Sequence, residues 1–363
     1  MNDPSGSPLD VRDTPATRAE AAPSSPKDPI TRLVYRDGAG ELHLDWTGER
    51  IPEALADRDG ILWVDLESTL PQDQEDFRAE AILRDVFGFH PLAVEDAIAE
   101  SNLPKIDDWG EYLYLVFHAT SMERRGDALK LHEIDIFLGA NFVLTYHTEP
   151  IAFLEGEWAS ILKDPRDRLR RGADHLLARF LEVAVDQSLK TIEQLDDRLD
   201  HIQNRVLDDP SPAALRTIFR VKRAAIRLHK LFGPQREVLN RLARDPYDPV
   251  RAENRVYFRD VYDHVVRVHD ISEGLRDLIA GTLETYLSVM SNRTNDIMKT
   301  LTMVTVMFMP MSFLTGFFGM NFFGETLAFE GPLPRRTLFL ASLAVMALSP
   351  AVMWTIARLR RWI

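Results

Sequence analysis

The 363-residue chain contains no cysteine. Disulfides and thiolate metal sites are therefore excluded. The chain also lacks the His-Glu-x-x-His pair of a metalloprotease and any glycine-rich phosphate loop. His264 and His269 lie five residues apart, off the spacing that puts two imidazoles on one helix face. No catalytic constellation is present, so the chain does not read as an enzyme. Long apolar runs are scarce, and 27% charged residues exclude a many-span membrane protein. Residues 1–29, rich in Pro, Ser, Asp and Ala, lack the apolar centre of a signal peptide and read as a disordered tail. Base is short as well: the net charge is −13. Residues 295–363 carry net +3, from Lys299, Arg335, Arg336, Arg358, Arg360 and Arg361 against Asp296, Glu325 and Glu330, which leaves −16 on the preceding 294. So acidic a body disfavours nucleic acid and favours cations as partners.

Two uncharged runs stand near the C-terminus. The first, Lys299–Asn321 (KTLTMVTVMFMPMSFLTGFFGMN), has no charged side chain from Thr300 to Met320. About 20 apolar residues in a helix cross a bilayer, where every backbone polar group must be satisfied internally. The run is two-faced. Asn295, Met298, Thr302 with Leu301 beside it, Thr305, Met309, Ser312 and Gly316 form a small, polar or flexible stripe, whereas Val304, Val306, Phe308, Phe313, Leu314 and Phe317 fill the other faces. A lone span gains nothing from such a stripe, but several copies around an axis gain a pore lining. After the exit Gly319-Met320-Asn321, a second uncharged run, Thr337–Ala357, is again long enough to cross.

Upstream, Arg32–Arg36, Leu42–Trp46 and Leu62–Leu66 are short β-rich pieces. Gln72–Gly88 and Pro91–Glu100 are helical in pattern, and Tyr112–His118 is a strand. Leu129–Leu138 and Phe142–His147 predict a hairpin about Gly139-Ala140-Asn141. This is an α/β domain ending near Pro150, with a mixed sheet. From 151 onward the reading is helical: Leu176–Leu207, then Ala213–Arg244, then a helix starting at Asp248-Pro249, Asp as N-cap and Pro in the first turn. Seventy residues from Pro249 to Phe318 would run about 105 Å. The stripe Val261, Val265, Val268, Ile271, Leu275, Leu278 suits packing against copies of itself, and Pro310 predicts a kink or loosening.

Three stretches carry a resemblance. Ser291–Phe322 (SNRTNDIMKTLTMVTVMFMPMSFLTGFFGMNF) resembles the first transmembrane helix and Gly-Met-Asn signature of the CorA family of magnesium channels. Tyr257–His264 (YFRDVYDH) and Phe87–Ile98 (FGFHPLAVEDAI) resemble two further stretches of that family, in order. The similarity covers nearly everything from about residue 30. It implies an α+β cytoplasmic domain, long stalk helices and two C-terminal transmembrane helices in a funnel-shaped homopentamer. The implied division is a disordered tail 1–29, the cytoplasmic α/β domain 30–150, a helical hairpin 151–247, and the stalk with the first transmembrane helix 248–320. An outer loop 321–336, the second transmembrane helix 337–357 and a basic tail 358–363 complete it. Both termini would be cytoplasmic and the protein multi-pass in the cell inner membrane.

The resemblance implies a selectivity filter of Gly319, Met320 and Asn321, whose neutral oxygens would hold hydrated magnesium through its waters. The residue types alone also suit an ordinary helix exit. Met298, Leu301 and Met309 would form an apolar gate, although a methionine seam also suits plain helix packing. Asp96 and Asp260 map onto the family's regulatory intersubunit cation site, with Glu95 and Glu182 as a second set; exposed carboxylates are otherwise solubilising charge. Glu193, Asp196, Asp197 and Asp200 on one helix are expected to pair with Arg216, Arg220, Arg223, Arg227 and Lys230 on the next. The terminal arginines mark a cytoplasmic end or a basic collar at the pore mouth. Magnesium is thus substrate and regulatory ligand, with no cofactor, and cobalt, nickel and zinc stay open. A ZntB-like zinc transporter is the alternative, although Phe322-Phe323-Gly324-Glu325 replaces the Gly-Gly-rich loop of that branch. A non-conducting membrane anchor is the other, and it has no need of the stripe.

Overall fold

The computed structural model describes residues 30–44, 46–68, 77–100, 103–123, 128–164, 168–320 and 335–359. The disordered-tail reading of residues 1–29, Asn321 and the outer loop, Arg360 and Arg361 fall outside them. The chain divides into two compact units. One ends at Ile192 and includes Leu228–Asp270; the other holds Glu193–Arg227 and the chain from Ile271 onward.

The first unit is built on a seven-stranded sheet: β1 (Ile30–Arg36), β2 (Leu42–His43), β3 (Ile61–Glu67), β4 (Lys105–Asp108), β5 (Tyr112–Met122), β6 (Leu129–Gly139) and β7 (Phe142–His147), in the order β2-β1-β3-β7-β6-β5-β4. Every neighbouring pair is antiparallel except β3 with β7, so the sheet is mixed. The β6–β7 turn is tight because Gly139 has no side chain: a Cβ there would lie 2.1 Å from the Phe142 ring. Asn141 in that turn donates through Nδ2 to the carbonyls of Leu55 (3.1 Å) and Asp57 (2.9 Å). It thereby satisfies acceptors left open at the end of α1 (Ile51–Ala56).

Both faces of the sheet are covered, which is why β3 and the start of β5 are buried at successive positions rather than at alternate ones. Leu62, Val64 and Leu66 pack with Ala79 and Leu83 of α2 (Phe77–Ala81, continued by a π turn to Val86) and with Ala93, Val94 and Ala97 of α3 (Pro91–Ile98). Trp63 points the other way, onto Trp158 of α4 (Ala152–Lys163, ring centroids 5.7 Å apart) and Phe180 of α5 (Ala173–Asp208, 4.9 Å). Beside it Asp65, fully buried, is held by Arg32, Thr145 Oγ1 (2.5 Å) and His147 Nε2 (3.2 Å). Burial alone would raise its pKa, but the hydrogen bonds and charges of His147, Thr145 and Arg32 outweigh it and hold the carboxyl below the usual range. Thr191 of α5 donates to the Thr120 carbonyl (3.3 Å), and Gln235 of α6 (Pro212–Arg244) donates to that of His118 (3.2 Å). These bonds seat both helices on β5.

In the second unit, Gln203 Nε2 donates to Thr282 Oγ1 (2.9 Å), and Arg293 pairs with Asp209 (3.1 Å). Leu275, Ile279, Thr282 and Tyr286 are buried at helical spacing on α7 (Arg255–Gly319, 65 residues). The last element is α8 (Arg335–Leu359).

Three expectations need correction. The second strand is only Leu42–His43; Trp46 has left it to pack at a tilt against Tyr35 (ring centroids 4.5 Å apart) beneath the Arg50 guanidinium (3.8 Å). The long helix begins at Arg255, not Asp248-Pro249, which lie in a turn. Arg251 is extended because its backbone N–H is donated to Asp174 (2.9 Å), and only a 3₁₀ turn, Ala252–Asn254, intervenes. Val261, Val265, Val268 and Leu275 are not a free stripe for neighbouring copies but are buried within the chain, while Leu278 is exposed. An apolar face at helical spacing looks the same whether its partner is intramolecular or not. Pro310 lies inside α7 and removes its own N–H without ending the helix.

Candidate ion pathway and cation-binding carboxylates

Two helices, α7 over its C-terminal part and α8, are long and apolar enough to cross a membrane. None of the apolar window of the first and only 6% of the second is buried, which separates them from core helices of a soluble protein. Half-buried positions on α7 recur as Met303, Val306, Met307, Pro310, Met311 and Leu314, and on α8 as Ser342, Met346, Ser349, Met353 and, buried, Ala357. A cavity of about 730 Å³ lies between them, lined by Met303, Val306 and Met307 on one side and Met353, Ile356 and Ala357 on the other. All eight residues of the predicted pore stripe, Asn295, Met298, Leu301, Thr302, Thr305, Met309, Ser312 and Gly316, are exposed. Six avoid the cavity altogether, whereas Met298 and Thr302 also border it.

The stripe is chemically suited to water and cations. Thr305 donates its hydroxyl proton to the Leu301 carbonyl (2.9 Å), which satisfies the donor inside the helix and leaves oxygen lone pairs facing outward. Lys299 is paired with Asp296 (3.2 Å) just before the uncharged run. At the other end Gly319 closes α7, and the exposed Met320 donates its N–H to the Gly316 carbonyl (3.2 Å).

The four acidic residues divide into two places. Glu182 and Asp260 line one cavity of about 470 Å³ with Glu157, Arg168, Arg171, Arg179, His175 and Tyr257. Glu95 and Asp96 sit on α3 and are not part of it. His90 caps that helix by accepting from the Leu92 N–H (3.2 Å), with Pro91 in the first turn. The sequence missed the bases that attend these acids. Asp96 is ion-paired with Lys105. Glu182 accepts from Arg179 (3.0 Å), which also reaches the buried Glu157 (3.5 Å); burial would lower the Arg179 pKa, but Glu157 and Glu182 hold it above its usual value. Arg171 donates to the Tyr257 hydroxyl (3.1 Å), and His175 meets that ring edge-on at 4.7 Å. Asp260 is exposed and enters no ion pair among the described residues. No local spacing foretells these partners, since Arg171 and Tyr257 are 86 residues apart.

Two other groups bear on charge. Asp196 is not neutralised as expected: partial burial, then Asp200 and Asp197, push its pKa up. Asp37, Glu41 and His43, unnoticed in the sequence, bring one ligand atom each within 4.8 Å of one another at the β1–β2 turn. His43 Nε2 lies 3.0 Å from Asp37 Oδ2, and this hydrogen bond holds the Asp37 carboxyl below its ordinary range.

The family model described as CorA-like Mg2+ transporter protein matches residues 58–360. The chain is 31% identical over 285 residues to the cobalt/magnesium transport protein CorA of Thermotoga maritima, covering 76% of this chain and 78% of that one. It is 26% identical over 238 residues to the zinc transport protein ZntB of Photorhabdus laumondii, covering 64% and 71%. Its fold matches the complete CorA magnesium transporter of Methanocaldococcus jannaschii with a TM-score of 0.74, over 92% of this chain and 99% of that one at 23% identity. That family is one of transporters rather than enzymes, and the chain, with its two apolar C-terminal helices, belongs to it as a divalent-cation transporter of the CorA type.

Proposed function

We propose that the protein is a magnesium channel of the cell inner membrane, a homopentamer with both termini cytoplasmic, in which α7 lines the pore. The observation that carries this reading is the division of α7. One face packs toward α8, and the face bearing threonine, serine, asparagine, glycine and methionine is left uncovered within a single chain. Copies of α7 about an axis would cover that face and give a path with hydroxyl oxygens between apolar rings. Asn321, at the exit, supplies the filter carboxamide with Gly319 and Met320. Met298, Leu301 and Met309 form the dewetting constriction. The membrane potential drives influx, worth about 2.3 kcal/mol per charge per 100 mV and roughly twice that for a divalent ion.

Closure would come from divalent ions held by Asp96 and Asp260 of neighbouring subunits, with Glu95 and Glu182 assisting. Asp260 suits such a role directly, being exposed without a basic partner among the described residues. Glu182 suits it less, because Arg179 already occupies its carboxylate. Flux into proteoliposomes, comparing magnesium, cobalt, nickel and zinc with an internal proton dye, tests the assignment. Potential-driven magnesium entry without acidification supports it. Zinc entry coupled to protons would instead favour the ZntB mode, which the 26%-identical relative keeps in view. Absence of any flux from a reconstituted chain would leave a membrane anchor.

A further inference from the structure

The carboxylate assigned to the regulatory site is already occupied by a cation of the protein's own. Asp96 on α3 is ion-paired with the ammonium of Lys105, the first residue of edge strand β4. The same ammonium lies 3.0 Å from Asp107 Oδ2, two residues along β4, and 5.0 Å over the ring of Tyr114 on β5. The Asp96 and Lys105 side chains are 45% and 30% exposed, so the pair is open to solvent ions yet held by packing. Asp260 has no such guard among the described residues. A divalent ion that reaches Asp96 must displace Lys105, and Asp107 gives the ammonium a second carboxylate to move to.

We infer that Lys105 is a tethered cation that competes with divalent ions for Asp96 and so sets the concentration at which the regulatory site fills, with Asp107 receiving the ammonium on filling. The inference rests on Asp96 being a regulatory ligand. A charge that stays within a few ångströms of the incoming ion also repels it. In water at physiological salt that repulsion is worth roughly three- to tenfold in affinity.

The test uses the full-length chain in detergent, with protection from chymotrypsin followed across a magnesium titration, and the internal magnesium that halts flux in proteoliposomes as the second readout. Lys105→Gln, which keeps a hydrogen-bonding side chain but removes the charge, is expected to lower the protection midpoint about three- to tenfold. Lys105→Arg should stay near wild type. Asp107→Asn, which takes away the second seat and tightens the guard, should move the midpoint upward. Asp96→Asn should raise it and abolish the effect of Lys105→Gln in the double variant. A midpoint shifted by Asp96→Asn but not by Lys105→Gln would overturn the competition while leaving Asp96 a ligand. If neither variant moves it, the assignment of Asp96 falls and the inference with it. A midpoint raised by Lys105→Gln would make Lys105 a structural brace. Should that variant melt early, the unchanged midpoint expected of Lys105→Arg and the upward shift expected of Asp107→Asn decide alone.

Discussion

Removing the carboxylate of Asp174 should loosen the start of the long helix more than any other single change in the soluble unit. Asp174 is 2% exposed and gathers four donors from the segment that opens α7: the backbone N–H of Arg251 (2.9 Å), its Nη2 (2.8 Å) and Nε (3.2 Å), and Asn254 Nδ2 (2.9 Å). In Asp174→Ala the guanidinium, nearly half exposed, can turn to water. The Arg251 N–H and the buried Asn254 amide lose their acceptor, although Asn254 keeps the Arg171 carbonyl at 3.3 Å. Charge-assisted bonds contribute about 1.5–3 kcal/mol each and do not add, so breaking this buried pair should cost about 3–4 kcal/mol. In a unit of about 200 residues that lowers the melting temperature by roughly 6–16 °C. Tryptophan fluorescence reports it, since Trp63 and Trp158 are in this unit. Gly172→Ala checks the geometry independently. Its φ is +102°, and a Cβ there would stand 1.8 Å from Arg251 Nη2. It should therefore destabilise strongly alone and less in an Arg251→Ala background, where the backbone strain and a 2.8 Å approach to Asp174 Oδ1 remain. An Asp174→Ala protein melting within about 2 °C of wild type, a shift below 1 kcal/mol, would refute the clamp.

Asn321→Ala should abolish magnesium uptake while size-exclusion chromatography shows normal assembly; near-normal uptake removes Asn321 from the filter. Met309→Asp should leak ions, because a charge keeps a narrow apolar ring wet. Met298→Asp should leak less, since Met298 also borders the cavity beside α8; equal or absent currents would contradict this order. Asp260→Ala, alone or with Asp96→Ala, should keep conducting at internal magnesium that shuts the wild type, and an unchanged protection midpoint would place the sensor elsewhere. The Asp65 contribution to stability is complete above the ordinary carboxylate pKa of about 4 and is lost as pH falls through its lower folded value. Melting against pH should fall in acid, and Asp65→Asn should be less stable near neutrality with a shallower acid limb.

What the sequence disclosed depended on whether the signal was local. The hairpin about Asn141, the proline start of α3 and the length of the uncharged runs are properties of neighbouring residues, and they stand as read. Strand β4 was missed because Lys-Ile-Asp-Asp has almost no apolar alternation and is ordered mainly by its ladder to β5. The start of α7 was misplaced because a Pro in a plausible first turn outvoted an acid 77 residues away. The valine stripe was assigned to other copies because periodicity specifies a buried face without naming its partner. The same limit governs the acids: resemblance nominates Asp96, Glu182 and Asp260, whereas Lys105 and Arg179, the ion-pair partners of the first two, emerge only from the fold.

The first compact unit is discontinuous, and this has a consequence for how the protein is made. It includes Leu228–Asp270 as well as the chain before Glu193, so the unit cannot close before Asp270 has been synthesised. Both uncharged runs follow that point. At about 5–20 residues per second, translation from Ile271 to Thr300 takes roughly 1.5–6 s. A mixed α/β unit typically folds in milliseconds to seconds. The ribosome thus delivers the apolar segments to the membrane behind a soluble part that has had time to fold, and the twenty-residue runs most prone to aggregate are the last to appear.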